Sequence, residues 1–272
     1  MILFVVEGTD REVAIFNKIS SIFFSGKNKI VTLPVPADMN IYMLYTLLRK
    51  DDFDTDVVEL LKENSEIAKE KLKDCSRDDF SELYFFFDFD EQGNNIPEKY
   101  HVSNQEALKE MLSVFNNETE NGKLYISYPM IEALRDFDSN SCHTISGSCF
   151  CNRIEFALYK ERSASNTDNN NFNKYTFEKW KDIANNYIKR IACLYQTNDF
   201  DRNKYLQVVN PNSIFDRIAI LYNNKLNVFV LSAVPEFLLD YSEKFWNSLI
   251  GKRKHHELDQ SCIQKSEQED VS

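Results

Sequence analysis

The sequence predicts an α/β protein with a mostly parallel sheet and flanking helices, followed by a mainly helical C-terminal region. Apolar runs of strand length alternate about four times with segments of helical spacing over residues 1–137. This alternation is typical of βα units, whose strands lie parallel. The runs "ILFVV" (2–6) and "ELYFFFDFD" (82–90) are almost continuously apolar, as expected for strands covered on both faces. Beyond residue 150 helical spacing dominates.

Two of the helices in the first half have sequence signals at their N-termini. Thr9 followed by Glu12 has the spacing of a capping box, and Ser103 followed by Glu106 repeats it. These signals predict that one helix begins after the first strand and another near residue 103. The predicted elements are strand 2–6, a helix from Thr9, strand 29–36, helix 37–50, helix 55–74, strand 82–90, helix 103–115, strand 123–129 and a short helical segment at 130–137.

The second half predicts helices over 175–196, over parts of 201–222 with a break at Pro211, and over 234–250. The run "LNVFVLS" (226–232) is predicted as a strand, paired in a hairpin with "IAILY" (218–222). The predicted organisation is therefore an α/β domain at 1–150, a mainly helical region at 151–250 and a disordered tail at 251–272, where apolar residues are few.

Composition excludes several classes of protein. No stretch of the 272 residues approaches the roughly 18 uninterrupted apolar residues of a membrane helix. The N-terminal residues lack the basic segment and cleavage site of a signal peptide, so we expect a cytoplasmic protein without membrane contact. Six scattered cysteines do not resemble a secreted disulfide framework. The net charge of −11 argues against a freestanding nucleic-acid binder that relies on its overall field.

Acidic residues follow the two strongest strands at the point where each strand ends. Glu7 ends the first strand, and Asp88 and Asp90 end the strand "FFFDFD". In open parallel sheets, ligands bind in the crevice outside the carboxyl ends of the strands. Carboxylates gathered there are suited to Mg²⁺ or Mn²⁺, which prefer hard oxygen ligands. The sequence therefore predicts a site for one of these ions.

These acids carry a resemblance to a known fold. The segment "VVEG", followed about eighty residues later by "DFDEQG", resembles the Toprim fold, with its Glu in a strand–Gly turn and its Asp-x-Asp element. The resemblance implies that Glu7, Asp88 and Asp90 are catalytic and coordinate Mg²⁺ or Mn²⁺. In "YISYPMIEALRDF", Glu132 corresponds to a further metal-binding acid of related nucleases. Asp10 occupies the place of a second acid that follows the Glu in those proteins.

The resemblance spans residues 1–137, and it is greatest to small Toprim proteins of bacterial anti-phage systems, often encoded with an ABC-type ATPase. It implies a regulated toxic effector nuclease that hydrolyses DNA or RNA, including tRNA, with an ABC-type ATPase as its partner. A homo-oligomer is left open. One ion would be held by Glu7 and Asp88, and a second by Asp90 with Asp10 or Glu132. Topoisomerase and primase activities are disfavoured, because the chain lacks the additional domains that they require.

The sequence leaves several alternatives open. The chain could be a non-catalytic, Toprim-like interaction or regulatory subunit of an ATPase-containing complex. A phosphatase or receiver-like domain also has acids at its strand ends, but it would carry an Asp where this chain has Glu7. Asp88 and Asp90 could form a turn before Gly93, and Asp10 could complement the dipole of the first helix.

Two further groups of residues could bind ligands, one as a zinc site and one as a basic strip for nucleic acid. The segment "CHTISGSCFC" contains a possible zinc set but lacks the usual Cys-x-x-Cys spacing, so free thiols are the default interpretation. That set is Cys142, His143, Cys149 and Cys151. A basic strip that guides nucleic acid could come from Lys189 and Arg190, or from Arg202 and Lys204.

Overall fold

A computed structural model describes residues 1–24, 29–36, 39–89, 96–137, 149–165 and 171–249. Contacts divide the chain into two compact units. The first comprises Met1–Ile131 and Phe172–Lys174, and the second comprises the described residues within Glu132–Asn171 and Tyr175–Ser272. The border at 150 predicted from the sequence thus falls inside the second unit. The predicted tail at 251–272 lies outside the described residues.

The first unit contains a five-stranded sheet in the order β2-β1-β3-β5-β4. The first four strands of this order run parallel, and the short β4 pairs antiparallel with β5. The predicted α/β class with a mostly parallel sheet is therefore confirmed. The strands are β1 (Ile2–Glu7), β2 (Ile30–Val35), β3 (Glu82–Asp88), β4 (Asn116–Asn117) and β5 (Gly122–Ser127).

The central strands are held by an aromatic core. Phe4 is fully buried on β1 and packs beside Phe86 of β3, with 6.0 Å between ring centroids. Phe86 also stacks on Tyr125 of β5 at 5.5 Å and contacts Phe16 at 4.2 Å. Burying rings of this size is a major source of core stability. This core fixes β1 against β3 and β3 against β5, so their carboxyl ends lie at one edge of the sheet.

Helices flank the sheet of the first unit. Ser103 caps α5 through the predicted capping box: its Oγ accepts from Glu106 N–H, and Glu106 accepts from Ser103 N–H. At α2, the Asn40 side chain accepts from the amides of Tyr42 and Met43. The helices are α1 (Arg11–Phe23), α2 (Ile41–Leu48), α3 (Val57–Asn64), α4 (Glu66–Lys71) and α5 (Asn104–Val114).

Two predictions about these helices are wrong. The single helix predicted over 55–74 is two helices, because Ser65 is extended (φ −145°, ψ 119°) and its hydroxyl caps α4 by accepting from Ala68 N–H. Serine competes for backbone hydrogen bonds in this way and so favours caps over helix interiors. The predicted cap at Thr9 is also wrong, because the N-cap of α1 is Asp10.

The second unit combines helices with a two-stranded antiparallel ribbon. In this ribbon β6 (Phe150–Asn152) pairs with β7 (Asn227–Phe229), and Cys151 lies opposite Val228. The helices are α6 (Phe156–Ala164), α7 (Phe177–Leu194), α8 (Arg202–Val208), α9 (Pro211–Lys225), α10 (Ala233–Tyr241) and α11 (Glu243–Leu249). Within the described ranges, no helix has the length and apolar character needed to cross a membrane.

The hairpin predicted between 218–222 and 226–232 is wrong, because 218–222 is not a strand. Residues 226–232 do contain β7, but "IAILY" lies within α9. Ile218 and Tyr222 are buried at a spacing of four, which is helical, and Pro211 at the first turn favours a helix start. A short apolar run of this kind cannot be assigned by periodicity alone.

Candidate metal site

Glu7 lies at the carboxyl end of β1 and contacts the end of β3. Its Oε2 accepts a hydrogen bond of 3.0 Å from the backbone N–H of Asp88. An aspartate carboxylate lies within about 5 Å of its own amide nitrogen, so the two carboxyl groups are separated by at most about 8 Å. The structure therefore brings together Glu7 and Asp88, as the parallel strand order requires.

Asp88 is oriented by the chain that follows β5. Its Oδ1 accepts a hydrogen bond of 2.8 Å from the backbone N–H of Ile131. Pairing of Asp88 with Ser127, and a bond of 2.9 Å from Phe89 N–H to Ser127 O, extend the β3–β5 ladder up to this point. Hydrogen bonds to an ionised acceptor are roughly twice as strong as neutral ones. Each of the two carboxylates is thus oriented by a backbone amide.

Gly8 makes room at this edge for a further acid, Glu12. Gly8 has φ +97°, a conformation that side chains rarely adopt, and a Cβ built on it would lie 2.5 Å from Glu12 Oε2. The Glu12 carboxylate therefore lies directly against the turn that follows Glu7. The sequence predicted Glu12 as the capping-box partner of Thr9, so its position against Gly8 was not expected. A Gly followed four residues later by Glu, at the first turn of a helix, is the signal that could have identified it.

The remaining predicted ligands have different positions. Asp10 is exposed at the N-cap of α1 and makes no side-chain hydrogen bond to the first turn. Glu132 begins the second unit, is 3% exposed, and lies 3.7 Å from Lys160 Nζ through its Oε1. Asp90 lies outside the described residues. The metal-binding roles of Asp10, Asp90 and Glu132 remain predictions.

The composition of the site fits a hard divalent cation. Within the described part of the chain, no group of three or more His, Cys, Asp or Glu is placed to hold a metal. Mg²⁺ does not require such a group, since proteins usually bind it through one or two carboxylates, with waters and substrate phosphates completing the shell. Glu7 and Asp88 supply two carboxylates of this kind, so the residues present fit Mg²⁺ or Mn²⁺.

The described part of the predicted zinc set has the properties of core cysteines. Cys149 and Cys151 are 2% and 0% exposed, and Cys151 lies within the β6–β7 ribbon. Burial raises the pKa of the Cys151 thiol to about 11. Zinc binds the thiolate, which a raised pKa disfavours. Cys142 and His143 lie outside the described residues.

A network of buried charges in the second unit was not predicted. Tyr159 donates a hydrogen bond of 2.5 Å to Asp136 Oδ2, and Arg190 donates to the carbonyl oxygens of Asp136 (2.8 Å) and Val230 (2.9 Å). Arg190 is 0% exposed, so its predicted place in a basic strip for nucleic acid is wrong. The helical spacing of α7 places Arg190 on the buried face of the helix. The charge of an arginine does not by itself indicate such a position.

Comparisons of the chain with protein-family models, with curated proteins and with solved structures found no match. The Toprim resemblance therefore remains a prediction from the motifs around Glu7 and Asp88. A function has to be inferred from the chemistry of the residues at the sheet edge.

Proposed function

We propose that this protein is a divalent-metal-dependent phosphodiesterase that hydrolyses nucleic acid at the edge of the sheet where β1 and β3 end. The single observation that supports this most is the hydrogen bond from Asp88 N–H to Glu7 Oε2. It brings the Glu7 carboxylate to the backbone of Asp88 at the carboxyl ends of neighbouring parallel strands, where such sheets bind their ligands.

The residues of the site have separable roles in this proposal. Glu7 and Asp88 would hold Mg²⁺ or Mn²⁺, which when bound supplies Lewis-acid stabilisation of the phosphate and a lowered pKa of its water. The amides of Asp88 and Ile131 hold the two carboxylates in position. A site whose groups are held in position needs less reorganisation during binding and reaction.

The biological setting belongs to the same proposal and is supported by the resemblance of "VVEG" and "DFDEQG" to Toprim proteins. By this resemblance the protein is a cytoplasmic effector nuclease of anti-phage defence, restrained by an ABC-type ATPase. Asp10, Asp90 and Glu132 are the further metal-binding acids that the resemblance implies. The net charge of −11 fits a site in which metal ions neutralise the phosphates.

The experiment that tests the proposal is a cleavage assay with DNA, RNA and tRNA in the presence of Mg²⁺, Mn²⁺ or EDTA. Glu7→Gln is the informative variant, because glutamine keeps an oxygen that accepts from Asp88 N–H but removes the charge. Glu82→Gln is a matched control. Glu82 begins β3, at the amino end of the strand, and its carboxylate accepts a hydrogen bond of 2.9 Å from Tyr84 OH.

We expect metal-dependent cleavage by the unmodified chain and by Glu82→Gln. The cleavage rate of Glu7→Gln should be at least 100-fold lower, because a catalytic metal stabilises the transition state by several kcal/mol. Undiminished cleavage in EDTA, or by Glu7→Gln, would contradict the proposal. An absence of cleavage under every condition would favour the non-catalytic interaction subunit.

A further inference from the structure

The amide that orients Asp88 follows closely, along the chain, on a contact between two aromatic rings. It is the N–H of Ile131, which donates to Asp88 Oδ1 at 2.8 Å. Ile131 belongs to the segment that leaves the sheet where β5 ends at Ser127. In this segment Tyr128 packs against Phe89, with 5.4 Å between the ring centroids. The ring contact and the amide are thus only three positions apart in the chain.

Phe89 and Tyr128 join the end of β3 to the chain that follows β5. The two residues are 1% and 2% exposed. Phe89 directly follows Asp88, and its N–H donates a hydrogen bond of 2.9 Å to Ser127 O. The two stretches of chain are therefore connected at one place by their backbones and by their rings. Asp88 itself is only half-buried, so the rings provide buried packing next to a residue that solvent can reach.

The short connection makes the position of the Ile131 amide depend on the ring contact. Three residues span at most about 11 Å when fully extended. Pro129 fixes φ at one of the two positions between Tyr128 and Ile131. A hydrogen bond weakens steeply when its length or angle departs from the favoured geometry. A displacement of Tyr128 would therefore be passed on to the Ile131 amide and would weaken its bond to Asp88.

We propose that Phe89 and Tyr128 are positioning residues. Their ring contact holds the Ile131 amide on the carboxylate of Asp88 and thereby raises the affinity of the site for Mg²⁺ or Mn²⁺. The statement about the ion rests on the proposed function, whereas the statement about the amide does not. A carboxylate that is already held in one orientation loses less conformational freedom when it binds a ligand. Packing that only stabilises the unit would have no particular effect on the Ile131 amide.

Four substitutions in the full chain separate positioning from general packing. Phe89→Leu keeps an apolar side chain and the backbone donor but removes the ring, and Tyr128→Leu removes the other ring of the pair. Asp88→Ala removes the acceptor of the Ile131 amide. Phe115→Leu is the matched control, because Phe115 is 3% exposed and its ring lies 4.9 Å from that of Phe85, in the middle of β3.

The first measurement is hydrogen exchange of the Ile131 amide by NMR, expressed relative to the amides of β1. We expect this relative rate to rise at least about 10-fold in Phe89→Leu, Tyr128→Leu and Asp88→Ala, because a hydrogen bond to a charged group is lost. The relative rate should be unchanged in Phe115→Leu. Tyr128→Leu provides the result if Phe89→Leu does not fold.

The second measurement is calorimetric titration of Mn²⁺. We expect the affinity to fall at least about 3-fold in Phe89→Leu and to be unchanged in Phe115→Leu. Equal relative exchange of the Ile131 amide in Phe89→Leu and Phe115→Leu would overturn the positioning role. Equal Mn²⁺ affinities of these two variants would overturn the effect on the ion. Absence of Mn²⁺ binding by the unmodified chain would overturn the proposed metal site, and the exchange rates would then decide the positioning of the amide by themselves.

Discussion

The backbone N–H of Asp88 donates to the carboxylate of Glu7 at 3.0 Å, which ties the ends of β1 and β3 together. The donor is a main-chain group, so it persists whatever side chain occupies position 88. The acceptor is an oxygen, so glutamine at position 7 preserves it. The charge of either acid can therefore be removed while this connection between the strands is kept, and chemistry can be separated from folding.

The first prediction concerns Gly8. We expect Gly8→Ala to lower the free energy of unfolding by about 1–3 kcal/mol, because φ +97° is strained for alanine. In addition, the new Cβ would displace the Glu12 carboxylate. The measurement is urea unfolding of both proteins. A Gly8→Ala protein as stable as the parent would contradict the close contact.

A double-mutant cycle separates the two causes. In a Glu12→Ala background the steric part of the Gly8→Ala cost disappears while the strain of the backbone remains. We therefore expect a smaller loss of stability from Gly8→Ala in that background. Equal losses in the two backgrounds would mean that Glu12 does not lie against Gly8.

The second prediction concerns the bond between Tyr159 and Asp136. Tyr159→Phe removes a buried hydrogen bond to a carboxylate, which typically contributes about 1.5–3 kcal/mol. Tyr84→Phe is the control, because its bond to Glu82 is only partly buried, and we expect it to cost less. Chemical denaturation at pH 7 gives both values. The account of the buried network fails if the two substitutions have equal effects.

Alkaline pH provides the third prediction. Burial raises the pKa values of Tyr159, Tyr187 and Tyr205 well above 10.0. Below about pH 10 these tyrosines are neutral in both states. Above it, the unfolded chain releases protons that the folded chain retains, so the free energy of unfolding falls as pH rises. Above about pH 10, Tyr159→Phe should reduce the decline of the free energy of unfolding by about 1.4 kcal/mol per pH unit. If the free energy of unfolding declines equally steeply with pH in the two proteins, the pKa assignment is refuted.

The fourth prediction uses the buried thiol of Cys151. Because burial raises its pKa to about 11, the folded protein should hold it as an unreactive thiol at pH 8. Iodoacetamide labelling followed by peptide mass mapping should show alkylation of Cys151 only after unfolding in urea. Rapid labelling of the native protein at this residue would indicate an accessible thiolate and would reopen the zinc interpretation.

The sheet was predictable from the sequence because its strands are strongly apolar and alternate with helical segments. Burial on both faces leaves "ILFVV" and "YFFF" few other structures to adopt. The position of Glu7 and Asp88 at one edge followed from the direction of parallel strands. Local chemistry was harder to predict: the break at Ser65 depends on a serine hydroxyl that competes for backbone hydrogen bonds within an otherwise helical sequence.

Contacts between distant residues were not predictable. The amide of Ile131 donates to Asp88 across 43 positions, and Arg190 bonds to carbonyl groups far away in the chain. A backbone donor carries no residue-type signal, and a lysine or arginine on a helix is usually solvated. Glu12 illustrates the same difficulty, since its spacing from Thr9 fits a cap and only the left-handed Gly8 shows where its carboxylate lies.

The most direct test of the proposed metal site is calorimetric titration of Mn²⁺ into the purified chain and into Asp88→Asn. Asparagine keeps an oxygen that can accept from Ile131 N–H, so the melting temperature should be almost unchanged. We predict that the unmodified chain binds Mn²⁺ and that Asp88→Asn loses at least 10-fold in affinity, together with any cleavage activity. Equal Mn²⁺ affinity for a folded Asp88→Asn protein, or full cleavage activity in that variant, would show that the carboxylates of Glu7 and Asp88 are not a metal site.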